Sequence, residues 1–173
     1  VNHQGEYETA ERMVYMAHAM GADAVKFQLH VLDNEMLFET PQSDNFEKPL
    51  YQTLDETNLS LEEHQKLKNL CERLGIFYIC TPFSRDAADQ LNEMGVEAFK
   101  VGSGELTNLP LQEHIARKGK PMIISTGMST VDEIAETVAL VKSIGTPFML
   151  THCVSAYPAP YHLVNLGMIP KYV

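Results

Sequence analysis

Positive charge is scarce in this chain. Thirteen Lys and Arg stand against 23 Asp and Glu, for a net charge of -10 over 173 residues. That excludes a nucleic-acid surface, which needs a basic face. A small anionic substrate stays open, because a few locally held lysines decide a site while net charge mostly sets solubility. Long hydrophobic runs are missing too. No apolar stretch approaches the ~18 residues of a membrane span, and no basic, apolar, small-residue leader is visible. Cysteine is sparse. Cys71, Cys80 and Cys153 show no CxxC spacing; this reads as a reduced, cytoplasmic protein with buried thiols. The seven histidines form no HxxxH, HxH or HExxH pair, so no metal ligand is assigned within these residues. There is no GxGxxG dinucleotide loop and no GxSxG nucleophile elbow.

What the chain does have is repetition. Five times an amphipathic helical stretch ends in glycine, a short apolar run follows, and the run breaks at a polar cluster. The five read MGADAVKFQ, LGIFYICTPFS, MGVEAFKVGSGE, KGKPMIISTGMS and IGTPFMLTHCVSAYPAP. This predicts β/α units with parallel strands, whose chemistry sits at the strand carboxyl ends. Helical spacing of Met13, Val14, Met16, Ala17 and Met20 predicts a helix over 8–20, with a strand at 24–29. Residues 31–59 follow with few periodic signals and with Pro41, Pro49 and several Asn and Asp. So long a connection is usually functional, and a lid is one reading. Ser60-Leu-Glu-Glu63 and Thr130-Val-Asp-Glu133 are capping boxes that start helices ending near Leu74 and Ile144. Ser84 caps a helix over 85–94, and another is predicted over 110–118. Strands are predicted at 76–80, 98–101, 121–125 and 147–151.

An open doubly wound sheet and a (β/α)8 barrel both fit such units. Without a dinucleotide loop, the barrel is the preferred reading. It is an α/β TIM barrel seen as an incomplete piece, from the end of a first strand through about a sixth. Residues 1–173 form a partial catalytic domain on this reading, in a chain that starts at Val1 and stops at Val173.

Period-two alternation puts Lys26 and Gln28 on one strand face and Val25 and Phe27 on the other. A lysine there is costly unless paired or presented to an anion. In Phe99-Lys-Val-Gly-Ser-Gly-Glu105, Lys100 is the one charge within an apolar strand. Two glycines flank Ser103, so the backbone can approach a ligand and present N–H groups to an anion. Glu105 is placed to act as a base on water; the plainer reading is a turn whose Glu caps the next helix. Ser125 ends a strand just before a helix N-terminus, a favourable place for a phosphate or carboxylate. Thr81, ahead of a proline, is a weaker candidate. Ser155 and Tyr157 in a proline-stiffened loop suit sugar hydroxyls. His3 is a further candidate to line the site. Cys153 as a nucleophile is disfavoured, and two strand-end lysines raise Schiff-base chemistry.

These stretches resemble the sialic acid synthase family, whose bacterial members make N-acetylneuraminic, legionaminic, pseudaminic and spore-coat sugars. The resemblance rests on Val1-Asn-His-Gln-Gly5, Gly21-Ala-Asp-Ala-Val-Lys-Phe-Gln28, Cys80-Thr-Pro-Phe-Ser84, Phe99–Glu105, Ile124-Ser-Thr-Gly-Met128 and His152-Cys-Val-Ser-Ala-Tyr-Pro-Ala-Pro160. It implies a TIM-barrel transferase condensing phosphoenolpyruvate with an N-acetylated hexosamine, giving a nine-carbon 2-keto sugar acid and phosphate. By position it implies phosphoenolpyruvate binding at Lys26, Thr81, Lys100, Ser103, Ser125 and Ser155. It implies Glu105 as the carboxylate that handles the water, and Gln28 and Tyr157 beside the sugar. Ser155 falls where some sialic acid synthases have asparagine, which weakens transfer of substrate identity.

The resemblance also implies a divalent metal, Mn2+ or Mg2+, with ligands beyond residue 173, and a C-terminal antifreeze-like domain outside this chain. The full-length protein is then expected to be a homodimer, and residues 1–173 alone to be inactive. Two other readings stay open: a Schiff-base aldolase on the same kind of barrel, and a non-catalytic barrel fragment.

Overall fold

The computed structural model describes residues 2–40, 42 and 47–172. The expectations placed on Val1, Pro41 and Val173 lie outside the described residues. The chain is α/β with parallel strands, and it divides into two compact units, residues 1–97 and 98–173.

In the first unit the order is α1 (Tyr7–Ala19), β1 (Ala24–Leu29), α2 (Leu50–Thr57), α3 (Leu61–Leu74), β2 (Phe77–Pro82) and α4 (Arg85–Glu93). β1 and β2 pair in parallel with Ala24 opposite Phe77 and Gln28 opposite Thr81. Phe27, Leu29, Tyr78 and Cys80 are buried, and Phe27 stacks on Tyr78 and meets His64 of α3 edge-on. Alternation turns Lys26 and Gln28 to the opposite face. The capping box at Ser60 forms as expected, and Gly75 closes α3 at φ 73°, a left-handed conformation that favours glycine.

Two expectations change here. Residues 2–5 form a turn rather than the tail of a strand. The stretch 31–59 is not structureless, for it holds α2 and a short 3-10 turn at Leu32–Asn34. α2 escapes a periodicity reading because it is only eight residues long, barely two turns.

His64 is fully buried, and its Nδ1 lies 2.6 Å from Tyr78 Oη. Burial, then His3 and to a lesser extent His30, push its imidazole down to about 4 against the opposing pull of Glu63. The unfolded chain titrates near 6.5, so below that it takes up a proton that the folded chain refuses until about 4. Stability is therefore expected to be lost as pH falls through that window, by up to about 3 kcal/mol from this group. Urea unfolding at pH 7 and pH 4.5 measures the loss. His64→Gln should flatten the difference; an equal difference in the variant would assign the pH dependence elsewhere.

In the second unit the order is β3 (Phe99–Val101), α5 (Leu109–Ala116), β4 (Met122–Ser125), α6 (Val131–Ile144) and β5 (Phe148–Thr151). The three strands are parallel, with Lys100 opposite Ile123 and Ser125 opposite Thr151. Phe99, Val101, Met122 and Ile124 are buried with Leu111 and Ile115 of α5 and Ile134 and Val141 of α6. Thr130 completes the second capping box, and Gly145 ends α6 at φ 85°. A single 3-10 turn at Ser103–Glu105 follows β3, and two more lie at Tyr161–Leu163 and Leu166–Tyr172.

Candidate functional site

The second unit gathers its polar side chains at the strand carboxyl ends. Lys100 lies between the buried Phe99 and Val101, so alternation sends its side chain to the face away from the helices. Ser125 is two residues past Ile123, the register partner of Lys100, and so shares that face. Lys100 Nζ donates to Ser125 Oγ and to Val101 O. Ser125 Oγ in turn lies 3.1 Å from Thr151 Oγ1. Thr126 Oγ1 donates to Thr151 O at 3.0 Å. An ammonium and two hydroxyls thus share one hydrogen-bonded cluster.

Cys153 joins this cluster, with Sγ 3.5 Å from Thr151 Oγ1. Burial by itself would raise its thiol. Hydrogen bonds with Thr151, Ser125 and the Thr126 backbone, together with the Lys100 charge, outweigh burial and leave it below the ordinary thiol value. Cys71 and Cys80 behave oppositely, pushed up by burial to about 11 and about 12. The expectation of buried thiols thus holds for Cys71 and Cys80, while Cys153 is half-buried. Thr151 was not among the residues singled out from the sequence, and Cys153 was weighed there only as a disfavoured nucleophile. The signal for Thr151 was available in its strand-end position, whose alternation matches that of Ser125.

The loops after β4 and β5 press together at Gly127. A Cβ there would meet Ser155 Oγ at 2.8 Å, Cys153 Cβ at 3.0 Å and the Cys153 carbonyl carbon at 3.2 Å. Gly127→Ala is expected to destabilise the full-length protein by about 1–3 kcal/mol through overpacking. Urea unfolding tests this, and an unchanged midpoint would show that the loop after β5 yields freely.

Ser103 opens the 3-10 turn and Glu105 closes it. Glu105 does not cap α5: Asn108 does, through Oδ1 on Leu111 N. Asn108 Nδ2 instead donates to Glu105 Oε2 at 2.9 Å. Ser103 makes no hydrogen bond to Lys100 or Ser125 among the described residues. Ser155 is exposed beside Gly127, and Tyr157 is 98% exposed. The structure therefore brings together Lys100 and Ser125, holds Ser155 against the neighbouring loop, and leaves Tyr157 in solvent.

In the first unit Gln28 and Thr81 face each other across the strand ends, and Thr81 is buried. Lys26 is exposed and makes no ion pair or hydrogen bond among the described residues. An open cavity of 390 Å³ is lined by His3, Val14, Lys26, Phe27 and Gln28. His3 itself is 5% exposed, sits 6.1 Å from Phe27 ring to ring and accepts from Gly5 N at 3.2 Å. Its imidazole is lowered by burial.

Among the described residues no three His, Cys, Asp or Glu side chains converge in a way that could hold a metal ion. The resemblance places the ligands of its divalent metal beyond residue 173. No helix among the described residues is long and apolar enough to cross a membrane.

Parallel β/α units with an ammonium and hydroxyls clustered at strand carboxyl ends define an α/β protein of the kind expected from the sequence. The chain belongs to the NeuB family, whose model matches residues 13–173. It is 38% identical over 178 residues to the N,N'-diacetyllegionaminic acid synthase of Legionella pneumophila, covering 96% of this chain and 50% of that protein. It is 35% identical over 176 residues to the human N-acetylneuraminate-9-phosphate synthase, covering 99% of this chain and 49% of that one. Among solved structures, the N-acetylneuraminic acid synthetase of Leptospira borgpetersenii superposes with a TM-score of 0.84 at 30% identity, covering 98% of this chain and 57% of that one. The chain spans about half the length of the curated relatives it matches.

Proposed function

We propose that this chain is part of a phosphoenolpyruvate-dependent sugar acid synthase of the sialic acid type. The observation that carries the reading is the Lys100–Ser125–Thr151 cluster at the strand carboxyl ends of a NeuB-family chain. An ammonium with adjacent hydroxyl donors matches a carboxylate or phosphate, and charge-assisted contacts of this kind are the strong ones. Lys26, Thr81, Lys100, Ser103, Ser125 and Ser155 are proposed to hold phosphoenolpyruvate, and Gln28 and Tyr157 to contact the sugar. Tyr157, being exposed, would have to be covered by ligand or by other parts of the protein.

The reaction consumes phosphoenolpyruvate, an N-acetylated hexosamine in its open aldehyde form, and water. C3 of phosphoenolpyruvate attacks the aldehyde carbon with the electron pair of its C2=C3 double bond; the carbonyl π pair moves to the aldehyde oxygen, which takes a proton from solvent, and C2 is left cationic. Water adds at C2, giving up a proton to Glu105. The resulting tetrahedral centre loses phosphate by C–O cleavage, leaving the 2-keto acid. Glu105 acts as base and Lys100 holds anionic oxygens in place. The metal, the barrel closure, the homodimer and the antifreeze-like domain belong to the full-length protein on this proposal, and residues 1–173 alone are expected to be inactive.

Phosphoenolpyruvate labelled with 18O at the bridging oxygen tests the chemistry. Phosphate released by the full-length protein should carry the label. Label retained in the organic product would place the cleavage at P–O and end this mechanism.

A further inference from the structure

The turn that carries Glu105 is pinned from two helices by buried polar side chains. Gln112 of α5 and Thr137 of α6 are both 0% exposed. Gln112 Nε2 donates to Glu105 O at 2.6 Å, and Thr137 Oγ1 donates to Leu106 O at 2.8 Å. Two consecutive carbonyls thus accept from buried side chains, and Glu105 O accepts from Asn108 N as well, at 3.1 Å. A buried polar group is costly unless hydrogen-bonded, and Gln112 Oε1 has no partner among the described residues. A leucine would serve the core there better, so the amide is explained by what it holds.

Asn108 completes the arrangement one turn before Gln112. Its Oδ1 accepts from Leu111 N at 3.3 Å, which caps α5, while its Nδ2 donates to Glu105 Oε2 at 2.9 Å. The cap requires the oxygen to face the helix, and that fixes the nitrogen toward the carboxylate. Ser, Asp and Asn cap helices about equally well. Of those three, asparagine alone also offers an N–H to a neighbouring carboxylate. The cap therefore does not dictate asparagine, whereas the contact with Glu105 does.

We propose that Asn108 is the positioning residue for Glu105. It anchors Oε2 and leaves Oε1 for the proton of the attacking water, while Gln112 and Thr137 hold the turn beneath it. This rests on the reading of Glu105 given under Proposed function.

The test uses the full-length protein with divalent metal, Asn108→Asp and Asn108→Ser, steady-state phosphate release and thermal melts. Both substitutions keep a capping oxygen. The first sets a carboxylate against Glu105, and the second leaves a hydroxyl too short to reach it. The melting temperature is expected to stay within a few degrees, while kcat falls about 10- to 100-fold, as misplacement of a reacting group does. The KM for phosphoenolpyruvate should change little, because Asn108 acts through the base and not through the substrate. Unchanged kcat in both variants would overturn the proposal. So would kcat falling together with a rise in KM and a lower melting temperature, which marks a merely structural role. If Asn108→Asp does not fold, Asn108→Ser decides alone. Glu105→Gln separates the two readings. Full turnover in Glu105→Gln would sink the role of Glu105 and this inference with it. Lost turnover there beside normal Asn108 variants would sink only the inference.

Discussion

Lys100→Ala is expected to lower kcat/KM for phosphoenolpyruvate by about 10²–10³-fold, the loss typical of removing one preorganised charge-stabilising donor. Lys100 Nζ reaches Ser125 Oγ directly, and Ser125 reaches Thr151. Truncation removes the charge and leaves both hydroxyls to rearrange, so the loss should exceed that from Ser125→Ala. The fold should survive, since Phe99 and Val101, the neighbours that pack the buried face, are untouched. Steady-state kinetics beside a thermal melt checks both halves. Activity within a few-fold of the parent in a folded Lys100→Ala protein would remove the anion from this cluster.

Glu105→Gln is expected to lower kcat by about 10²–10⁴-fold, the usual contribution of a positioned general base. The substitution keeps the shape of the side chain but cannot accept a proton from water at neutral pH. Gln112 still holds the Glu105 carbonyl, and Asn108 still caps α5, so the turn should keep its place. Binding of phosphoenolpyruvate, followed by protection against heat, should be unchanged, because the cluster that would hold it is intact. A variant that loses binding and turnover equally would make Glu105 a binding group rather than a base.

Much of the fold was legible because the chain punctuates itself. Gly75 and Gly145 end their helices in left-handed conformations, and Ser60, Ser84 and Thr130 begin theirs with side-chain caps. The apolar runs between these marks became β1 to β5 with ends shifted by at most two residues. α2 was not legible, since eight residues give barely two turns in which a helical period could show. Within the site, Lys100 and Ser125 were legible because a charge in an apolar strand and a hydroxyl at its neighbour's end share a face. Ser103, Lys26 and Gln28 were legible as residue types at strand ends. Asn108 escaped for a different reason. An N-cap asparagine is fully accounted for by its helix, and its second contact shows only once Glu105 is placed in space. Cys153 was weighed only as a disfavoured nucleophile, because the groups that tune its thiol, Thr151 and Lys100, come close only through parallel pairing of β3, β4 and β5.

The central claim is that the protein spends phosphoenolpyruvate on an amino sugar. The most direct measurement is phosphate release by the full-length protein with Mn2+ and phosphoenolpyruvate, across N-acetylated and diacetylated hexosamines, with borohydride added in a parallel set. The account predicts release that requires one class of sugar, disappears in Lys100→Ala, and leaves no lysine adduct trapped by borohydride. A folded, metal-loaded protein that releases no phosphate with any sugar would contradict it, and a trapped lysine adduct would replace it with the Schiff-base aldolase.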